Sequence, residues 1–120
     1  SIEFAVELLE VPLIVVLGHD SCGAISASLK AINNDELPPG YIRSIVERVM
    51  PSLLIGRSEG LTRVDEFEAR HVVETGKLLA ERSRIIGDRV ADGRLAIMGL
   101  NYHLEDGQVT VSGTIGDVVE

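Results

Sequence analysis

The chain has 120 residues, enough for one hydrophobic core, and 45% of them are apolar, enough to fill it. Lys and Arg number 11 against 19 Asp and Glu, a formal charge of −8 that opposes binding to nucleic acid and to anionic membranes, because both rest on phosphate neutralisation. Aromatics at 3%, with no Trp, leave no stacking platform for single strands, and the longest apolar run, Val11–Leu17, falls far short of the roughly 20 residues that cross a bilayer.

Ile2, Ala5, Val6 and Leu9 recur at helical spacing with Glu3, Glu7 and Glu10 opposite, so Ser1–Glu10 reads as an amphipathic helix. Pro12–Gly18 follows as an unbroken β-branched run, the pattern of a parallel strand covered on both faces. His19–Gly23 is the turn at its carboxyl end, Ala24–Ile32 the next helix, and Asp35–Gly40 a loop by its Pro-Pro-Gly chemistry. Ile42, Ile45, Val46 and Val49 place a second amphipathic helix over Tyr41–Met50, which Pro51 interrupts or ends. Thr62 or Asp65 can cap one long helix running to about Val90, with Glu and Arg along its outer face, and Asp92-Gly93 stops it. Leu95–Leu100 is a second buried strand, adjacent and parallel to Pro12–Gly18. Tyr102–Leu104, the turn Glu105-Asp106-Gly107 and Gln108–Ser112 read as a hairpin whose last strand adds antiparallel at the edge. The expected fold is α/β, a single domain over 1–120 with a small, mostly parallel sheet flanked by helices and an antiparallel edge strand.

Ligands of open α/β sheets gather at the carboxyl ends of strands, where Gly18-His19-Asp20-Ser21-Cys22-Gly23 sits. His19 and Cys22 are spaced H-x2-C, so an imidazole and a thiolate can reach one ion, and both are ordinary zinc donors. The helix that follows points its amino end at the turn, and Gly18 and Gly23 allow close backbone approach or positive φ. The plain alternative is a small buried Cys and a His bonded to a turn carbonyl. A catalytic zinc normally has three protein ligands, and the sequence has no second cysteine; His71 in the long helix and His103 in the terminal hairpin read as surface or interface histidines. A third reading, an anion- or nucleotide-binding unit at the helix amino end, lacks any G-x-G-x-x-G or Walker pattern.

The motif Gly18-His19-Asp20-Ser21-Cys22-Gly23 resembles the G-H-x-x-C-G hallmark of β-class carbonic anhydrases, and the whole segment Ser1–Gly23 is similar to their actinobacterial members. Tyr41-Ile42-Arg43, Glu47-Arg48-Val49, Arg63–Glu68, Arg70-His71-Val72, Leu95-Ala96-Ile97 and Tyr102–Gly107 match the same subgroup in order. The resemblance implies zinc-dependent, reversible hydration of CO2 to bicarbonate and a proton, with zinc, one per complete subunit, held by His19, Cys22 and a further cysteine. That cysteine belongs to an upstream C-x-D-S-R motif whose Asp and Arg form a dyad beside the metal. Neither that motif nor the V-R-x-A-G strand after it occurs here, so the chain, opening on Ser1 inside a helical pattern, is expected to be the carboxyl-terminal part of a longer enzyme. By the same resemblance Phe4 and Gly23 belong to the substrate pocket, with Phe4 lacking the hydroxyl of the Tyr often found there. No catalytic dyad residue lies in this chain, which alone is expected to bind zinc weakly or not at all and to be inactive. The resemblance further implies a homodimer or higher oligomer with Phe4 near the interface, and the missing strands flanking Pro12–Gly18. The lone Cys22 and the lack of a signal peptide or membrane span fit the cytoplasm. The alternative function is a non-catalytic interaction module that kept the fold.

Overall fold

The computed structural model describes residues 1–34 and 36–116. Asp35, where the Pro-rich loop was expected to begin, and residues 117–120 of the single domain lie outside the described residues. In chain order the elements are α1 (Ile2–Glu7), β1 (Leu13–His19), α2 (Gly23–Asn34), α3 (Tyr41–Ser58), α4 (Val64–Arg82), α5 (Arg84–Ala91), β2 (Ala96–Tyr102) and β3 (Val109–Ile115). The sheet order is β1-β2-β3. β1 runs parallel to β2 with Val15 opposite Met98, and β3 runs antiparallel to β2 with an irregularity at Gly99/Leu100. The expected α/β architecture, its parallel pair and its antiparallel edge strand are all present. The terminal hairpin lies between β2 and β3 themselves, because β2 continues through Tyr102.

Helix α4 is the spine. Its carboxyl-terminal half lies over the sheet with α5 and α1, enclosing Val6, Ile86, Leu95 and Ile97. Its amino-terminal half meets α2 and α3 around Ile25, Val49, Leu53 and Phe67, a second cluster against which Cys22 packs. Helix and sheet approach closely because glycines face Val72: a methyl at Gly99 would stand 2.8 Å from Val72 Cγ1, and one at Gly18 would overlap Val72 Cγ2 and lie 2.6 Å from Asn101 Oδ1. Gly18 therefore serves packing, as the close-approach reading expects. Gly23 does not: a Cβ there has nothing within 4 Å, and its φ is not positive.

Four expectations are corrected. β1 is not covered on both faces: Ile14 and Val16 pack inward, whereas Leu13, Val15 and Leu17 are exposed, since no helix among the described residues lies over that side. The Ser1–Glu10 helix is confined to Ile2–Glu7, and of its apolar stripe Val6 is buried while Ile2 and Leu9 are exposed. α3 does not end at Pro51 but continues to Ser58. An interior proline costs about 3 kcal/mol, whereas Val49 and Leu53 on either side are buried and contribute about 1.5–3 kcal/mol each; packing wins. The long helix to Val90 is two helices, capped at neither Thr62 nor Asp65: Arg63 is the N-cap of α4, its N–H donating to Glu66 Oε1 at 3.1 Å. The break falls at Ser83, whose extended backbone lets Oγ accept the Ile86 N–H and donate to Glu3 Oε2 at 2.6 Å, tying α5 to α1.

The tight seat of α4 yields a stability prediction. Gly99→Ala should lower unfolding stability by about 1–3 kcal/mol through overpacking against Val72, read as a shifted denaturant midpoint with unchanged slope; Gly99→Ala with Val72→Ala should recover part of the loss.

Candidate metal centre

β1 ends at His19, and the chain reverses over Asp20–Cys22 into α2. Ser21 carries the left-handed backbone of this turn at φ 53, a conformation sparsely used by residues with a side chain, rather than either flanking glycine. Two clamps hold it. On the hairpin side, the Asp20 N–H donates to the Tyr102 carbonyl at 3.1 Å and Asp20 Oδ1 accepts the Leu104 N–H at 3.1 Å. On the helix side, the Cys22 N–H donates to Glu68 Oε1 at 2.8 Å, while the Cys22 carbonyl accepts the Ser26 N–H at the start of α2.

His19 Nδ1 lies 2.8 Å from the Asp20 carbonyl oxygen. A carbonyl can only accept, so this nitrogen carries the proton and the Nε2 lone pair is left for a metal. His19 and Cys22 line one cavity of about 290 Å³ together with Glu68, His71, Val72 and Thr75. A larger groove of about 580 Å³ between α1 and α4–α5 holds none of the predicted site residues. His103 bonds Thr110 through Nε2 on the hairpin, with Nδ1 3.8 Å from Asp20 Oδ2. Phe4 stands on α1, more than half exposed, and Gly23 is exposed at the start of α2; neither is among the residues lining the cavity.

As donors, an imidazole nitrogen and a cysteine sulfur on one turn suit zinc. Among the described residues no group of three or more His, Cys, Asp or Glu side chains is placed to hold a metal ion, so the set fits zinc as far as it goes and is short of a catalytic complement.

Two residues of the cavity escaped the sequence reading. Glu68 was placed with the outer-face charges of a long helix, yet it is 3% exposed. Burial raises its carboxyl above the ordinary range, opposed by the Cys22 N–H, and Oε2 has no partner among the described residues. The signal was its spacing: Glu68, Val72 and Gly76 fall at i, i+4 and i+8, one stripe laid on the sheet. His71, read as a surface or interface histidine, bonds Ser52 Oγ through Nδ1 at 2.8 Å, and burial pulls its imidazole below the usual 6.5 despite the opposing charge of Glu74.

Residues 1–109 match the family described as carbonic anhydrase. The chain is 58% identical over its full length to carbonic anhydrase 2 of Mycobacterium tuberculosis and 57% identical to a carbonic anhydrase of Mycolicibacterium smegmatis, spanning 58% of each relative's length. Among solved structures, tetrameric β-carbonic anhydrases from Sordaria macrospora superpose with a TM-score of 0.76 at 23% identity, over 93% of this chain and 57% of theirs. A Coccomyxa β-carbonic anhydrase in complex with acetazolamide superposes at 0.71 with 24% identity, over 91% of this chain and 50% of its own. The chain thus spans between half and three fifths of the length of these proteins.

The state of His71 gives a pH prediction. Its native pKa is depressed, so between that value and the unfolded 6.5 the unfolded chain binds the extra proton, and stability falls as pH drops through this window. Denaturant titrations at pH 7.5 and 5.5 should show the loss, and His71→Asn should reduce it.

Proposed function

We propose, from the premise that this chain belongs to the β-carbonic anhydrase family, that it is the portion of a zinc enzyme which carries two of the three metal ligands for reversible CO2 hydration. The observation that carries the reading is the pairing of His19 Nε2, its ring fixed by the Asp20 carbonyl, with Cys22 in one cavity at the carboxyl end of β1. Zinc, when bound, supplies the Lewis acidity that makes water nucleophilic near neutral pH. The chain's own part is to hold and shape: the Asp20 carbonyl orients the imidazole, the turn presents Cys22, and Val16, Ile25 and Val72 give CO2 an apolar wall. Phe4 and Gly23 are assigned to the substrate pocket by resemblance alone, with Phe4 reaching it only in an assembled protein.

The third ligand is a cysteine of an upstream C-x-D-S-R segment, together with the Asp–Arg dyad. The relatives' greater length leaves room for that segment, and the edge of β1, unpaired among the described residues, is where its strands would add. The chain by itself is therefore inactive and holds zinc weakly or not at all. The exposed row Leu13, Val15 and Leu17, and Phe4 on α1, favour self-association into a dimer or higher oligomer, and the lone thiol suits the cytoplasm. A second reading, a non-catalytic interaction module, draws on the lack of a third donor among the described residues.

Stopped-flow CO2 hydration separates the two. The 120-residue chain should show no rate above buffer; adding an upstream segment with the C-x-D-S-R motif should restore activity and about one zinc per subunit, and Cys22→Ser in that longer protein should abolish both. Activity in the short chain, or none in the long one, contradicts the proposal. In sedimentation the chain should run above its monomer mass of 12.9 kDa, and Val15→Lys should shift it toward monomer.

A further inference from the structure

The Glu68 carboxyl is the group whose burial the packing does least to explain. It is 3% exposed, one oxygen meets a single backbone N–H, and the other finds no partner among the described residues. A carboxyl withdrawn from water with so few hydrogen bonds works against stability, and an apolar side chain of similar length would not carry that cost. Its stripe mates Val72 and Gly76 meet the sheet through apolar contact, and Phe67 beside it belongs to the core.

What the carboxyl does is reach Cys22 across 46 residues of sequence. The contact falls immediately after the left-handed Ser21 and immediately before Gly23, around which a Cβ would touch nothing. Asp20 ties the opposite end of the turn to the β2–β3 hairpin. With Asp20 alone, the Cys22 end could pivot about Ser21 and carry the sulfur away from His19. With both clamps, the two ends of the turn are fixed to different elements.

We propose that Glu68 is a positioning residue for the metal: it pins the Cys22 end of the turn to α4, so that Cys22 Sγ and His19 Nε2 keep their relative placement before any ion arrives. The inference rests on the zinc reading of the turn. Glu68 acts through the Cys22 backbone and is itself no ligand, in keeping with the absence of a three-donor group among the described residues.

Two variants of similar size isolate the role. Glu68→Gln keeps a carbonyl oxygen for the Cys22 N–H; Glu68→Met keeps the bulk and offers no acceptor. In the 120-residue chain, hydrogen exchange at the Cys22 amide should be slow in wild type and Gln and about tenfold faster in Met. The Met variant should unfold at the same or higher denaturant concentration, because it removes a buried carboxyl. In the longer protein carrying the upstream segment, zinc affinity measured by chelator competition should fall about 10–100-fold in Met and be largely restored in Gln. Affinity falling while stability holds is an outcome that a purely structural role does not give. Met binding zinc as tightly as wild type overturns this inference alone, as does a Cys22 amide that exchanges alike in all three forms. Loss of stability and affinity together in Met, without rescue by Gln, also overturns it. A wild-type longer protein that binds no zinc overturns the zinc reading first, and this inference with it.

Discussion

Everything at the site depends on how closely α4 lies on the sheet. Val72 occupies space that a Cβ at Gly18 or Gly99 would fill, and a Cβ at Gly76, one turn on, would stand 3.2 Å from Ile97 Cγ2. Because the helix is rigid, the seat of Val72 fixes the residues beside it and one turn before it. Glu68 arrives at the Cys22 amide, and His71 arrives at the cavity wall with its ring bonded to Ser52 of α3. A helix held off by even one methyl would leave the turn without its second clamp. Packing density and the geometry of the turn are here the same constraint.

The turn is costly in isolation and stable in context. A non-glycine residue in the left-handed region costs of order 1–3 kcal/mol, and Ser21 adopts it between two residues that must both face one cavity. Against this stand a neutral hydrogen bond from the Asp20 N–H to the Tyr102 carbonyl and a charge-assisted one from the Leu104 N–H to the Asp20 carboxylate, while the Cys22 N–H bond to Glu68 directs the turn and is offset by the burial of that carboxyl. Hydrogen bonds of these kinds contribute about 0.5–1.5 and 1.5–3 kcal/mol, enough to hold the strained conformation. The stored strain is what allows three consecutive residues to direct their side chains and amides to β2, α4 and the cavity at once.

Much of this was legible in the chain. Period-two and unbroken apolar patterns marked β1, β2 and β3, and H-x2-C between glycines marked the turn, because both signals are local. What escaped was decided by tertiary contact. Pro51 should end a helix, but burial of Val49 and Leu53 outweighs it. Ser83 splits one periodic stretch into two by capping α5, and its bond to Glu3 lies 80 residues away in sequence. β1 has the composition of a doubly covered strand while one of its faces is open, a mismatch between pattern and neighbours that the relatives' greater length accounts for under the proposed reading. Glu68 was hidden because a glutamate on a charged helix is almost always solvated, and only its register with Val72 and Gly76 sets it apart.

The central claim is that the turn after β1 is a half-site for zinc. Zinc K-edge X-ray absorption on the longer protein, compared between wild type and Cys22→Ser and between wild type and His19→Ala, addresses it at the ion itself. The account predicts a first shell of mixed sulfur and imidazole scattering, with part of the sulfur contribution lost in the Cys22 variant and the imidazole contribution lost in the His19 variant. A shell that neither substitution alters would place the metal elsewhere and contradict the account.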